Sequence, residues 1–597
     1  VSDSSKKRSE EFLQISGQFK LGALVTESSH PVTANLSEVA KQDTGAALKL
    51  LFDVDDDVVK TFREFVASGR AGKIAATVLA TVKNGGQIFF TGCGSTGRLS
   101  ILLDSVWRDF WQQRKHPDFE NRTFSVMAGG DYALIKSVEG FEDFTAFGKK
   151  QINDLGVSAK DVVFAITEGG ETSFVIGTAW AGVEAGAKVY FVYNNPDDIL
   201  CEHVERSREV IQDARIEKIN LTTGPMAITG STRMQATSIQ LCVMLTILEM
   251  TARDLLKLDS AEVPEKFLSK LAEMHASLKS PELLAQLAKL VELEESVYRS
   301  GHKNNYFAHR FGIDVLTDTT ERSPTYCTPP FRKFDDRTAT ESWAFLFLPQ
   351  TESANAWQNI LKREPRCVEW SEGEIRDLVG EEKFARTLET VRKISRAELM
   401  RFRIGWGDVQ FRPLGQGDCA VAVVARRASF SVGGFYHIQL EAARKAGAQT
   451  ALVYFGSESD IAQIRQLTAD WNSIGTNLFV PVPPTDFLLD GVTRVAVKLV
   501  MNALSTCTMV RLGRVMGNYM IWVVPSNLKL IDRATRYITK LTDLDYEAAN
   551  ALLFEIIEYV EPRMKTDQAY PPVVGMAVLR AKHGLTNEAA EKRLLSS

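Results

Sequence analysis

Residues 87–104 read QIFFTGCGSTGRLSILLD. Gln87 to Gly92 is an apolar run of strand length, and from Gly97 onward the apolar residues recur at helical spacing. A strand that passes through a glycine-rich turn into a helix opens a βαβ unit. The same alternation continues downstream. TFSVMAGG (123–130), DVVFAIT (161–167) and KVYFVYN (188–194) read as strands buried on both faces, with helical stretches at 97–115 and 172–185. A long apolar helix over 232–257 closes this first unit, and helical periodicity over 46–83 precedes it. The pattern predicts an α/β fold with a parallel sheet between helices.

Farther out, residues 1–20 read as a mobile polar arm at the head of an N-terminal segment 1–45. Residues 258–292 are polar and helical and open a second unit, in which ESVYRSG (295–301), WAFLFLP (343–349), CAVAVVA (419–425), TALVYFG (450–456) and NLFVPVP (477–483) look like strands. A helix over 492–513 follows. Beyond Pro525 the pattern is wholly helical, and 541–597 reads as a small bundle with Asp545 at a helix start. The expected organisation is therefore two tandem α/β modules, 46–258 and 259–524, followed by a helical unit over 525–597.

The composition is that of an ordinary globular protein. The 597 residues are 45% hydrophobic and 24% charged, with a formal net charge of −5. That is too much chain for one core. The weakly acidic balance gives no electrostatic reason to expect nucleic acid or an anionic membrane as partner. Seven scattered cysteines form no C-x-x-C pair and read as reduced thiols. The opening VSDSSKKRSEE lacks an apolar signal core, and no run reaches ~18 apolar residues, so the reading is a soluble cytoplasmic protein. The eight histidines show no metal spacing, and nothing demands a cofactor.

Three loops carry the chemistry. In the first, Gly94, Ser95, Thr96, Gly97 and Arg98 combine close backbone approach, a helix N-terminus and hydroxyl donors, which suits an anion. Gly92, Gly94 and Gly97 also fit the dinucleotide fingerprint, but the next strand ends in glycines where an acidic residue is wanted, with Asp131 only beyond them. The second loop holds Thr167, Glu168, Gly169, Gly170, Glu171, Thr172 and Ser173. The third, Gly230 to Arg233, opens the long helix with Ser231 and Thr232. Each could be merely a capped helix start. Three in one doubly wound module favour a phosphate site at the carboxyl ends of the strands. Glu139 and Glu142 would share a face if their segment is helical.

Together these stretches resemble the SIS (sugar isomerase) domain family, in the branch of N-acetylmuramic acid 6-phosphate etherase and glucokinase regulatory protein. The resemblance rests on LGALVTESSHPVT (21–33) with Thr26-Glu27, GCGSTGRLSILLD, MAGGDYALIKSVEGFED, ITGSTRM, RLGRVMGNYM and SNLKL (526–530). It implies two tandem SIS modules plus a C-terminal all-helical lid, with a phosphorylated sugar bound between them. Ser95, Thr96, Thr167, Gly169, Thr172, Ser231 and Thr232 would hold phosphate and sugar hydroxyls. Glu139, Glu142 and Glu321 would hold hydroxyls, and Lys529 would close the site. Such a protein could regulate a protein partner through its lid or module arrangement.

The etherase branch instead implies a lyase that works with two carboxylates of separated pKa. Glu142 matches one family position, while the other falls on Val106; Glu321 lies in a similar segment of the second module and could stand in. An aldose–ketose isomerase is a third reading. This chain departs from the etherase pattern at Gly169, Glu171 and Gln235, the last in place of a lysine. Arg98, Arg233 and Lys529 remain as cations. Glu168 or Glu171 ~4 Å from a phosphate would cost about 4 kcal/mol at an effective dielectric near 20, so both turn outward or the phosphate sits elsewhere. In the second module Gly301 to Asn305 replaces a phosphate loop, and Arg426 to Gly434 reads as an exposed basic turn or a second anion site.

Overall fold

A computed structural model describes residues 3–17, 21–138, 140–425, 430–469, 471, 474–525, 528–565, 568 and 570–595. Its two sheets are parallel throughout, because their strands are buried on both faces and joined by helical crossovers. The first holds β1 (Ile88–Gly92), β2 (Thr123–Met127), β3 (Val162–Ile166), β4 (Lys188–Tyr193) and β5 (Ile216–Asn220), in the order β2-β1-β3-β4-β5. The second holds β6 (Asn304–Ala308), β7 (Ala344–Phe347), β8 (Cys419–Ala425), β9 (Gln449–Gly456) and β10 (Thr476–Pro481), in the order β10-β9-β8-β6-β7. Numbered within each module, both orders are 2-1-3-4-5. The fold class read from the sequence, two tandem α/β modules and a helical C-terminal unit, is the one observed.

Nine helices carry the rest of the argument: α1 (Gly94–Gln113), α2 (Ser173–Glu184), α3 (Gln235–Leu255), α4 (Gly312–Tyr326), α5 (Gly491–Arg511), α6 (Leu528–Leu541), α7 (Tyr546–Lys565), α8 (Val573–His583) and α9 (Asn587–Leu595). Residues 235–253 of α3 are all buried, because α3 is packed between helices of its own module and α5 of the second. Each buried Leu or Ile there is worth roughly 1.5–3 kcal/mol relative to exposure. Helices α1 and α4 also pack against each other across the modules. A buried ion network ties them further. Arg363 donates to Asp104 (2.9 Å), to both oxygens of Asp131 (2.6 and 3.0 Å) and to Ser125 (2.8 Å).

Three expectations fail. The arm expected to be mobile contains the helix Asp3–Ser16, which packs on α7: Phe12 is buried against Phe554, and Ser9 donates to Asn550 (2.6 Å). ESVYRSG is no strand, since Glu295 to Arg299 end the helix Pro281–Arg299. The strand lies just beyond it, as β6. Asn304 and Asn305 are buried there because Asn304 Nδ2 donates to Tyr298 Oη (3.0 Å), and Asn305 exchanges hydrogen bonds with Arg412. Finally, β5 (IEKIN) went unread. No helix among the described residues is long and apolar enough to cross a membrane.

Candidate functional site

The site grows from the point where the first sheet reverses strand order, between β1 and β3. At the end of β1 the chain folds so tightly that a Cβ on Gly92 would stand 2.4 Å from the Thr96 backbone. Thr96 fastens this loop: its Oγ1 accepts from Cys93 N (3.0 Å) and donates to Cys93 O (2.9 Å), and it is fully buried. Its hydroxyl is thus engaged in the loop, while Gly94 and Ser95 are half-buried beside it. Gly97 is packed against Met127 of β2. Arg98 runs into the second module, where its Nε donates to Thr320 Oγ1 of α4 (3.2 Å). Its Nη2 is buried and has no hydrogen-bond partner among the described residues.

The second loop is pinned by its carbonyls. The oxygens of Glu168, Gly169, Gly170 and Glu171 accept from Asn194 N, Asn195 Nδ2, Ser207 Oγ and Arg206 Nε, at 2.9, 2.8, 2.7 and 2.5 Å. Trans peptide geometry turns each following N–H the opposite way. Of these, Gly170 N donates to Thr167 Oγ1 (3.3 Å), and Thr167 Oγ1 also lies 3.2 Å from Thr172 Oγ1.

Of the two alternatives the sequence left, the acids do not turn outward: Glu168 is 8% and Glu171 2% exposed. Burial pushes the Glu168 carboxyl up to about 8, with the charges of Glu321 and Glu171 adding to the effect and Lys529 opposing it. It is therefore mostly neutral at pH 7. Glu171 would also be raised by burial, but its ion pair with Lys529 reverses this and leaves it below the ordinary carboxylate value.

The third loop is held from both modules. Ser231 is buried, and Thr232 is half-buried ahead of α3, which starts at Gln235 rather than at Thr232. Arg233 Nη2 donates to Ser505 (2.7 Å) and Thr506 (3.2 Å) of α5, so this cation ties modules together. Gln235 is fully buried, accepting from Ala227 N (3.0 Å) and donating to Pro225 O (2.7 Å). In place of a lysine there, Lys498 of α5 reaches across and donates to Arg233 O (2.7 Å). Burial pushes the Lys498 ammonium down to about 8, against the pull of Glu321. Sequence reading missed Lys498, whose signal was a single cation inside the apolar run VAVKLVM.

Glu142 lies in a turn outside any helix, and its partner in the expected helical face, Glu139, lies outside the described residues. Cys93 Sγ donates to Glu142 Oε2 (3.1 Å). Burial raises the Glu142 carboxyl, Lys529 and the thiol oppose, and Asp143 and Glu171 add to the rise. Glu321 is 7% exposed on α4. Its charge acts on Arg98, Glu168 and Lys498, which joins it to the same crevice. Val106 is buried in α1. Of the basic turn after β8, Arg426, Arg427, Ala428 and Ser429 lie outside the described residues.

Helix α6 closes one side, and Glu27 anchors it. Arg533 Nε and Arg536 Nη2 donate to Glu27 Oε2 (3.0 and 2.9 Å), and Arg533 Nη2 to Glu27 Oε1 (2.5 Å). Burial would raise Glu27, but these arginines hold it at about 2. Tyr537 donates to Thr229 O in the third loop. About two turns earlier on α6, Lys529 is carried to the second loop.

A family model for the glucokinase regulatory protein N-terminal SIS domain matches residues 71–181. The N-acetylmuramic acid 6-phosphate etherases of Yersinia pestis and Yersinia pseudotuberculosis are each 33% identical over 228 residues, which span 38% of this chain and 69% of the relative. Among solved structures, tagatose-6-phosphate ketose/aldose isomerase from Escherichia coli is 9% identical, with a TM-score of 0.41 over 80% of this chain and 94% of that one. The etherase identity, extending over two thirds of those relatives and joined to the three glycine- and hydroxyl-bearing loops, makes this chain a member of the SIS-domain family, in the branch of N-acetylmuramic acid 6-phosphate etherase and glucokinase regulatory protein.

Proposed function

We propose that this protein binds a phosphorylated sugar in the crevice between the first-module loops, α4 and α6, and that it acts as a binding protein of the glucokinase regulatory protein kind. The observation that carries this reading is the convergence of three units: Lys529 of α6 pairs inside the second loop, while Arg98 of the first loop bonds Thr320 of α4. A ligand that replaces any of these contacts changes how the units are docked, which gives occupancy a route to a protein partner. Such recognition needs loop N–H groups, hydroxyls and cations, all of which these elements supply.

A lyase is the second reading. It is favoured by Glu142 and Glu321, carboxyls from different modules in unlike surroundings, one bonded by a thiol and the other beside Arg98. Val106 weighs against it, since an apolar side chain cannot move a proton.

Lactate release from N-acetylmuramic acid 6-phosphate, measured for wild type, Glu142→Gln and Glu321→Gln, separates the two readings. The expected outcome is no release, with the wild type thermally stabilised by this sugar or by fructose 6-phosphate. Release by the wild type that is lost in both variants would establish the lyase instead. Neither release nor stabilisation would remove the phosphosugar from consideration.

A further inference from the structure

We propose that Glu171 sets the ligand response of this site: its carboxylate fills the anion position of the second loop, and a phosphosugar binds by displacing it from Lys529. The inference rests on the phosphosugar reading and goes beyond it by naming an internal competitor.

The carboxylate lies directly over Gly169, where an added Cβ would stand 1.8 Å from Glu171 Oε2. Glu171 is 2% exposed, and Lys529 bonds Oε1. Oε2 is buried with no hydrogen-bond partner among the described residues. A buried carboxylate oxygen without a donor is costly, so the position is filled but not satisfied. A phosphomonoester would offer Lys529 a more highly charged acceptor than this carboxylate does.

The two anions exclude one another. Two like charges at ~4 Å in so buried a crevice repel strongly, and more so for each unit of phosphate charge. The Glu171 backbone cannot yield easily, because its carbonyl is held by Arg206 and α2 begins two residues later. Its side chain must therefore rotate or take up a proton when phosphate enters. Glu168, neutral at pH 7, adds little to this competition. An unphosphorylated sugar has nothing to gain from the exchange.

Calorimetry on wild type, Glu171→Ser and Glu171→Gln tests the proposal, with N-acetylmuramic acid 6-phosphate, fructose 6-phosphate, inorganic phosphate and unphosphorylated N-acetylmuramic acid as probes. Glu171→Ser is expected to bind at least one phosphosugar ten-fold or more tighter than wild type, and to bind inorganic phosphate measurably. Its ligand-free melting temperature should nevertheless fall, because Lys529 loses its partner. Glu171→Gln, nearly isosteric, should shift affinity the same way by less, and it carries the test if the serine variant fails to fold. Unchanged or weaker phosphosugar binding in both variants would overturn the proposal, as would loss of unphosphorylated-sugar binding, which would make the carboxylate a hydroxyl ligand. If no protein of the three binds any phosphosugar, the proposal and the reading beneath it fall together.

Discussion

Where strand order reverses, the first module presents Gly94, Ser95, Thr167 and Thr172 around half-buried backbone, while the second presents His309-Arg310-Phe311-Gly312. The described charges beside it are paired with one another. Arg310 pairs with Asp490 (2.7 Å) and Arg494 with Asp314 (2.5 Å), and the Arg494 guanidinium sits 4.8 Å from the centre of the buried Phe311 ring. Among the described residues the two modules thus repeat a scaffold without repeating the three loops. What the second contributes is a helix face: Thr320 and Glu321 of α4, and Lys498 of α5, are directed at the first module's loops.

The strongest way to break this division of labour is Arg363→Ala. It leaves Asp131 buried at the seam without its ion-pair partner, while Asp104 keeps Arg108, and should cost about 3–5 kcal/mol. Urea unfolding would show this as a lowered midpoint or as two transitions. A loss below about 1 kcal/mol would mean that the helical seams alone hold the modules together.

Glu27→Gln tests whether the lid belongs to the first module. With a folded pKa of about 2 against an ordinary 4.5, Glu27 contributes about 3 kcal/mol at neutral pH. That contribution is complete above pH 4.5 and is lost as pH falls through about 2. The variant should start less stable at pH 7, with its gap from wild type closing below pH 4. Parallel acid profiles would refute the anchoring role.

Glu168→Gln should have the smallest effect, and the opposite sign. The folded pKa near 8 exceeds 4.5, so the wild type loses stability as pH rises from 4.5 through 8. The variant escapes this and should gain about 1–2 kcal/mol at pH 8, less than the full linkage because water can enter the crevice, and almost nothing at pH 5. Equal melting curves at both pH values would show that Glu168 turns outward in solution, one of the two alternatives the sequence left.

Most of the sheet scaffold was legible because its strands are covered on both faces, which makes QIFFTG, DVVFAIT and CAVAVVA continuous apolar runs. The failures have the same origin. Edge strand β5 is only partly covered and so carries Glu217 and Lys218, while β6 opens with two asparagines that are buried by hydrogen bonds rather than by apolarity. The three loops could be read as anion-accepting from local sequence alone. The direction of Glu171 could not, since it depends on Lys529, 358 residues away, and the reach of Arg98 depends on Thr320, 222 residues away. Glycines and hydroxyls announce themselves locally, whereas ion pairs between units do not.

The helix Asp3–Ser16 meets α7 through Ser9 and Asn550, 541 residues apart. In vectorial synthesis that contact waits until the 541-residue stretch up to Asn550 has been made. Both sheets can assemble before α6 is made, so the side of the crevice that α6 closes is added after them. Until then the apolar side of the first helix, with Phe12, stays uncovered. A nascent chain can thus hold both sheets before this helix and α7 come together.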